Sequence, residues 1–400
     1  MTTDGAPAMT MPGDGRGAGT ELDDLPEEIV TDKILMLLPP KDVGRCRAVR
    51  ASWRSATSTL EFMLAHHRRQ PSFPIVEREY RLGVFRASRS SGTAYLQPLC
   101  PRGHNVSLHA AGDGFLVMSV PSRFYIYNPV INQIAPLPQP EFQHTNTILG
   151  LYSHDATGEY RVLWSSVVDR TQNERTLHVT TVGSNQSRDI GVRMSTAASS
   201  PSRERALLEA LPRDRYSAYN PPVRHRGNLH WMPEREIIVF DTATELFQCM
   251  RGATHSGSRQ KLFDVHGKLG LYSPDTRFKY MDVWVMEDYE AEMWEFKYRI
   301  DMSSIEASLS LHLTSPKKEK RKGTVVAINP MARIISEMCM LNEHELLFGY
   351  NDKNVLRCNI DGKLLGAANI ERRQYIMELT HHRFKESIIP IPSSKMQEER

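Results

Sequence analysis

The side chains best suited to chemistry lie in small, separate groups. Asp264 and His266 stand two residues apart, His381 and His382 are adjacent, and His66 and His67 form another adjacent pair. A carboxylate near an imidazole is raw material for proton transfer, and two histidines at i and i+4 on one helix can share a metal ion. Neither histidine pair has that spacing, and no group has a third partner at a spacing the sequence can confirm. His66-His67 therefore reads as the solvated, basic end of a helix. The five cysteines (Cys46, Cys100, Cys249, Cys339, Cys358) are odd in number and include no C-x-x-C pair. That fits reduced thiols better than a zinc site or a disulfide framework. No glycine-rich phosphate loop, H-E-x-x-H or G-x-S-x-G is present. The expectation is a chain that holds partners and does no chemistry of its own: not an enzyme, with no metal and no cofactor.

Composition narrows the partners. Four hundred residues exceed one typical domain, and 40% hydrophobic with 24% charged residues is ordinary globular usage. A net charge of +3 is too small to argue for nucleic acid. No run approaches the ~18–20 apolar residues that span a bilayer, and the N-terminus lacks a basic region followed by an apolar core. A soluble protein of the cytoplasm and/or nucleus is expected, with neither nucleic acid nor membrane as partner. Residues 317–322 (KKEKRK) form the sharpest charge run. It reads as a solvated loop between strands or as a nuclear import signal.

The elements that could position a binding surface fall into two groups. Residues 1–20 are mostly Gly, Ala, Thr and Pro, with Met as the large apolar type, and are expected to be a disordered tail. Residues 21–70 read as a helical module. Asp24 suits an N-cap, Pro26 a first helical position, and Glu27 and Glu28 complement the dipole of the first turn. Val30, Ile34, Leu37 and Leu38 recur as one apolar stripe, which Pro39-Pro40 ends. A second helix is expected from near Lys41, and Val43, Cys46, Val49 and Trp53 carry the apolar spacing into a third. Gly44 weakens it by roughly 1 kcal/mol against Ala. Residues 61–69 read as a further helix with Phe62 and Leu64 inward. The prolines Pro71 and Pro74 mark a boundary.

This stretch resembles the F-box. The resemblance rests on Leu25-Pro26 with Glu28, Ile34-Leu35, Leu38-Pro39, Val43, Arg45-Cys46-Arg47, Val49 and Ser52-Trp53-Arg54, over residues 22–64. It implies a module that docks on the Skp-type adaptor of a cullin-based (SCF) ubiquitin ligase. On that resemblance Leu25, Pro26, Ile29, Ile34, Leu38, Pro39, Val43 and Trp53 meet the adaptor or support the core that does. Leu25, Pro26 and Leu38 are expected as contacts, Val49 and Trp53 as mainly internal. Gly44 and Ala48 depart from the pattern, standing where bulkier apolar residues are common.

Residues 71–392 have another character: short apolar runs separated by Gly, Asn, Asp, Pro and Ser, as in a large all-β architecture. Candidate strands cover residues 115–120, 124–127, 160–164, 176–179, 237–240, 281–286, 325–328 and 345–348. An internal repeat runs through them. Gly114-Phe115-Leu116 leads, 13 residues on, to Tyr127-Asn128-Pro129, and Gly227-Asn228-Leu229 leads by the same count to Phe240-Asp241-Thr242. Phe124, Ile126 and Tyr127 align without gaps on Ile237, Val239 and Phe240. His266-Gly267 starts a looser third copy, and residues 355–359 with Asp361-Gly362 look like another outer strand. A radially repeated four-stranded unit fits: Gly opens a strand near an axis, and a strand ending in aromatic-Asn/Asp turns at the rim. At ~40–50 residues per blade this makes a large, all-β, propeller-like domain of roughly six to eight blades, its closure left open. A pair of β-sandwiches is the competing architecture. Neither kelch nor Trp-Asp signatures are present.

In order, GFLVMS…FYIYNP, ILGLYSHDATGEYRVL, GNLHWMP…IIVFDTATELF and MDVWVMEDYEAEMWEFKYRI resemble the F-box-associated β-propeller domains of plant F-box proteins. Asp282, Trp284, Glu287, Asp288, Tyr289 and Trp294 stand at matching places. Agreement is poorer over residues 184–215, expected as a long loop with a short helix near 203–211. Residues 393–400 are expected as a polar tail. The two resemblances together imply a substrate-recognition subunit of an SCF ubiquitin ligase. Its F-box would bind the adaptor and through it a cullin scaffold, while the propeller binds a target for ubiquitination and degradation. The identity of that target and the residues that bind it are unknown from sequence. The alternative is a ligand-binding or hydrolytic propeller whose F-box serves only its own turnover; carboxylates and histidines clustered around the channel would favour it.

Overall fold

The computed structural model describes residues 25–78, 81–87, 94–100, 106–121, 123–140, 146–169, 174–184, 187–194, 201–212, 221–233, 236–253, 260–275, 277, 279–305, 307, 335–350, 354–367 and 377–393. The expectations for residues 1–20 and 317–322, the strand at 325–328 and nearly all of the 393–400 tail lie outside these. The chain divides into two units, residues 1–66 and 67–400.

The first unit is helical. A single turn, α1 (Glu27–Ile29), widens into a π-turn at Val30–Ile34 and tightens into a 3-10 turn at Leu35–Leu37. Then come α2 (Pro40–Val49), α3 (Ala51–Thr57) and α4 (Leu60–Arg69), whose last residues pass into the second unit. Pro26 is the N-cap, not the first helical residue, and its carbonyl accepts from the Ile29 and Val30 amides. Pro39 does the same for α2, which starts at Pro40 and so runs one residue earlier than expected. The π-turn inserts an extra residue per turn, which rotates the stripe. Val30 and Leu35 are the buried residues, and Leu37 is turned out. Arg47 ties α2 to α3 by donating to the Thr57 hydroxyl (3.0 Å) and carbonyl.

The reading of His66-His67 as a solvated helix end is wrong. Both are buried, because each ring has a main-chain carbonyl to donate to: His66 Nε2 to Leu38 (2.9 Å) and His67 Nδ1 to Glu386 (2.9 Å). A buried imidazole is tolerated when its N–H is paired. Phe62 is buried as expected; Leu64 is only partly so.

The second unit is a ring of six four-stranded antiparallel sheets among the described residues. Blade I holds β1 (Ser72–Arg78), β2 (Arg81–Ala87) and β3 (Ala94–Pro98). Blade II is β4 (Ser107–Gly112), β5 (Phe115–Val120), β6 (Arg123–Asn128) and β7 (Gln133–Pro136). Blade III is β8 (Asn146–His154), β9 (Glu159–Asp169), β10 (Glu174–Thr181) and β11 (Ser187–Asp189). Helix α5 (Pro201–Ala210) follows, close to the expected position. Blade IV is β12 (Val223–His225), β13 (Asn228–Trp231), β14 (Glu236–Asp241) and β15 (Leu246–Arg251). Blade V is β16 (Lys261–Val265), β17 (Lys268–Pro274), β18 (Tyr280–Asp288) and β19 (Met293–Asp301); blade VI is β20 (Ile335–Asn342), β21 (Glu345–Tyr350), β22 (Asn354–Asn359) and β23 (Leu364–Ala367). The last strand, β24 (Met377–Lys385), returns to pair with β1 and completes blade I as its innermost strand. Around the axis the inner strands β24, β4 and β8 neighbour one another in turn, as do β12, β16, β20 and β24, and β8 meets β13 of blade IV. Among the described residues the ring has six blades, closed at blade I by the pairing of β24 with β1.

Because each sheet is covered on both faces, its middle strands read as unbroken apolar runs, such as Ile237–Phe240. Alternate side chains fill opposite wedges. Ile238 and Phe240 pack towards Leu163 and Leu177 of blade III, while Ile237 and Val239 pack towards Leu269 and Leu271 of blade V. The repeat is explained by its turns. Asp113-Gly114, Arg226-Gly227 and His266-Gly267 all have φ between +50° and +87° at both positions, the two-residue hairpin geometry that favours Gly second. Each opens the second strand of its blade, so the Gly-opened strand lies one removed from the axis. At the rim, Asn128 Oδ1 accepts the Val130 amide and Asp241 Oδ1 the Ala243 and Thr244 amides, closing the turn to the outermost strand. The residue four on, Asn132 or Glu245, then takes a left-handed conformation.

Candidate functional site

Two places bear on function: the surface of the helical unit and the axis of the ring. In the helical unit, Pro26 and Pro39 are exposed, Ile29 is 44% exposed, and Leu25, Ile34, Leu38 and Trp53 are partly buried. Val43 is wholly buried, so it supports the module from within and is not free to touch a partner. Val49, expected inside, is 75% exposed, because α2 ends there and the chain turns away through Arg50. Leu37 is 63% exposed and Leu60 43%; sequence spacing had placed Leu37 on the inward stripe. Trp53 packs its ring 5.1 Å from the Arg50 guanidinium. The bare apolar side chains of this small unit are thus Ile29, Leu37, Val49 and Leu60. Apolar groups left in water on so small a module are what a hydrophobic interface would use.

At the axis, inner strands of neighbouring blades bring polar side chains together. Glu337 of β20 receives Lys261 Nζ from β16 at 2.9 Å and the Tyr272 hydroxyl from β17 at 3.4 Å, and His381 of β24 lies against it. Arg383 of β24 donates to the Met340 carbonyl (2.5 Å) and to Ser72, and lies 3.7 Å from Asp264 of β16. His382 and His109 complete the group, His109 bonding the Ser119 hydroxyl at 2.8 Å. Burial holds both C-terminal histidines neutral: His382 is pushed down to about 3, with His109 adding to the effect, and His381 falls well below the ordinary range, Lys261 contributing. Each carboxylate is matched by a cation from another blade, so the arrangement ties blades V, VI and I together. Sequence reasoning had found Asp264, His381 and His382 but not Glu337, Lys261 or Arg383, whose partners lie on other strands. His266 is absent from the group; it sits in a turn. Among the described residues, no three His, Cys, Asp or Glu side chains are arranged to hold a metal ion.

The residues that carry the propeller resemblance in blade V build the scaffold. Asp282 takes Arg299 at 2.5 and 2.8 Å, Glu287 pairs with Lys268 and Lys297, and Asp288 caps the turn through the Ala291 amide. Tyr289 bonds buried His230 at 2.8 Å, and Trp294 donates to the Arg251 carbonyl.

A small helical module ahead of a closed six-bladed propeller defines a class of two-part proteins. Within it, residues 101–333 match the F-box associated beta propeller domain, more than half of the chain, and the chain belongs to that family. It is similar to F-box protein At3g07870 of Arabidopsis thaliana, 23% identical over 371 residues, covering 85% of this chain and 86% of that protein. It is also similar to F-box protein At5g18160 of the same plant, 22% identical over 315 residues, covering 74% and 73%. Among solved structures, YCF48 from Cyanidioschyzon merolae matches over 74% of this chain and 84% of that chain, with 10% identity and a TM-score of 0.37.

Proposed function

We propose that this chain is the substrate-recognition subunit of an SCF-type ubiquitin ligase. The F-box module holds the Skp-type adaptor and through it the cullin scaffold, and the propeller holds a target protein beside the transfer machinery. The contribution to rate is effective concentration, since a held target meets the transfer site almost intramolecularly. The chain itself carries out no bond-making step, and it works in the cytoplasm and/or nucleus. The observation that carries this reading is the F-box pattern on a unit with bare apolar side chains, followed in one chain by a propeller of the F-box-associated family. The test is a purified binding assay with the Skp-type adaptor. The full chain should bind, and Leu25→Ala with Pro26→Ala should abolish binding while the propeller stays folded. Undiminished binding by that variant would refute the assignment.

The axial group of Glu337, Asp264, His109, His381 and His382 favours a second reading, a small polar ligand held on the axis, with the F-box governing only turnover of the chain. Thermal unfolding of the full chain with and without a small-molecule extract separates the two. A stabilising component lost in His382→Ala supports the second reading; a target protein captured equally by His382→Ala supports the first.

A further inference from the structure

Beyond β24, residues 386–392 are built into the ring. Residues 386–392 leave β24 at blade I, run across blade II and reach blade III. Asn128, wholly buried at the end of β6, donates its amide to the Ser387 carbonyl (3.1 Å) and the Ile389 carbonyl (2.8 Å). Gln133 at the start of β7 accepts the Ile391 amide at 2.7 Å and returns a longer bond to the Ile391 carbonyl at 3.5 Å. Side-chain amides carry one donor group and one acceptor, so they pair with an extended backbone as a neighbouring strand would. Ile388, Ile389 and Ile391 are buried to 3% exposure or less. At the near end, Glu386 is fixed by an ion pair to Arg86 of β2 at 2.8 Å.

Two glycines leave room for it. A Cβ on Gly114 would lie 2.1 Å from Ser387 Cβ, and one on Gly183, just after β10, would lie 2.7 Å from the Pro392 carbonyl oxygen. Two amides of blade II and two bare glycines, one in blade II and one beside blade III, fit a seven-residue segment that buries three isoleucines of its own. Chain ends that merely rest on a surface fray and bury little.

The pairing of β24 with β1 closes blade I on itself but does not bind it to its neighbours. We infer that residues 386–392 are a latch, a second closure of the ring seated in a groove of blades II and III, which holds the seam where the two ends of the propeller meet. Its partners lie in blades I, II and III, so it docks only when those three blades are in place.

The test uses the full chain, Asn128→Asp with Gln133→Glu, and a chain ended after Lys385. Asn128→Asp keeps the oxygen that accepts the Val130 amide, and Gln133→Glu the oxygen that accepts the Ile391 amide; both replace the donor that faces the latch carbonyls with a carboxylate oxygen that repels them. The double variant should melt about 5 °C or more below the parent. Amide exchange should quicken in β24, β1 and β4, while blade V across the ring keeps its protection. A peptide of residues 386–393 added to the shortened chain should restore protection in β24. Melting within about 1 °C of the parent with unchanged β24 exchange would overturn the latch, as would a folded shortened chain that the peptide leaves unchanged. If the shortened chain does not fold, the double variant decides.

Discussion

Tyr152 of β8 donates its hydroxyl to the Glu245 carboxylate, 2.7 Å away across the wedge between blades III and IV. The same carboxylate takes Arg161 of β9 at 2.8 Å and Arg188 of β11, so one residue of blade IV is the acceptor for three donors of blade III. Burial alone would raise the Glu245 pKa, but the bonds from Arg188, Tyr152 and Arg161 outweigh it and hold the group ionised.

Glu245→Ala should therefore destabilise the propeller by about 2 kcal/mol, because it leaves the buried Tyr152 hydroxyl without its acceptor and Arg161 with Glu159 alone. Arg188 is 48% exposed, and Arg188→Ala should lose less than about 1 kcal/mol. Urea unfolding of both variants checks this; equal losses would mean the carboxylate is not the hub.

Acid should weaken the propeller before it protonates most carboxylates. His230 is held by burial at about 4 and His382 at about 3, and His381 and His67 are lowered by burial too. In the unfolded chain each would titrate near 6.5. Below that value the unfolded state binds more protons, so the stability these neutral rings confer is complete above pH ~6.5 and is lost as pH falls towards 4. For His230 alone the shift corresponds to roughly 3 kcal/mol. Urea midpoints measured from pH 7.5 to 5 should fall, and His230→Gln should flatten the slope. A midpoint constant over that range would contradict the buried, neutral assignment.

What could be read in the chain was whatever is local. Gly114, Gly227 and Gly267 announced the start of a strand, which the two-residue turn with positive φ explains, and Asn128 and Asp241 announced rim turns because a short polar side chain caps its own backbone. The short apolar runs around Ile126 and Val239 announced strands. What could not be read depends on distant partners. Glu337 finds His381 and Lys261 only because inner strands of three blades meet at one axis. His66 looked like a solvated basic residue because its partner is the main-chain carbonyl of Leu38, which has no side-chain signature. Leu37 and Leu35 exchanged places because a π-turn, invisible in a 3.6-residue pattern, lies just before them. No periodicity says that Ser72 pairs with Lys385, the pairing on which closure depends.

In the helical unit, burial separates residues that hold the module from residues free to touch a partner. Val43→Ala removes a wholly buried side chain and should lose about 2 kcal/mol of the unit's stability, seen as reduced helicity of the full chain on mild heating. Leu37→Ala and Ile29→Ala alter exposed positions and should leave the melting curve unchanged while weakening adaptor binding at least about tenfold. If Leu37→Ala and Ile29→Ala bind as tightly as the parent, the adaptor uses another surface of the module.

The three repeated hairpins allow a comparison within one molecule. Gly114 and Gly267 have nearly the same φ, +87° and +83°, so an alanine at either meets the same backbone strain of about 1–2 kcal/mol. Their surroundings differ. Nothing lies within 4 Å of a Cβ on Gly267, whereas one on Gly114 would meet Ser387 Cβ at 2.1 Å. Ser387 is wholly buried and cannot step aside without drawing the isoleucines after it out of their seats. Gly114→Ala should therefore cost at least about 2 kcal/mol more than Gly267→Ala in urea unfolding. Ending the chain after Lys385 should erase most of that difference, since the collision partner is gone. Equal losses at the two glycines in the full chain would show that the segment after β24 yields freely and that the hairpin strain alone is being measured.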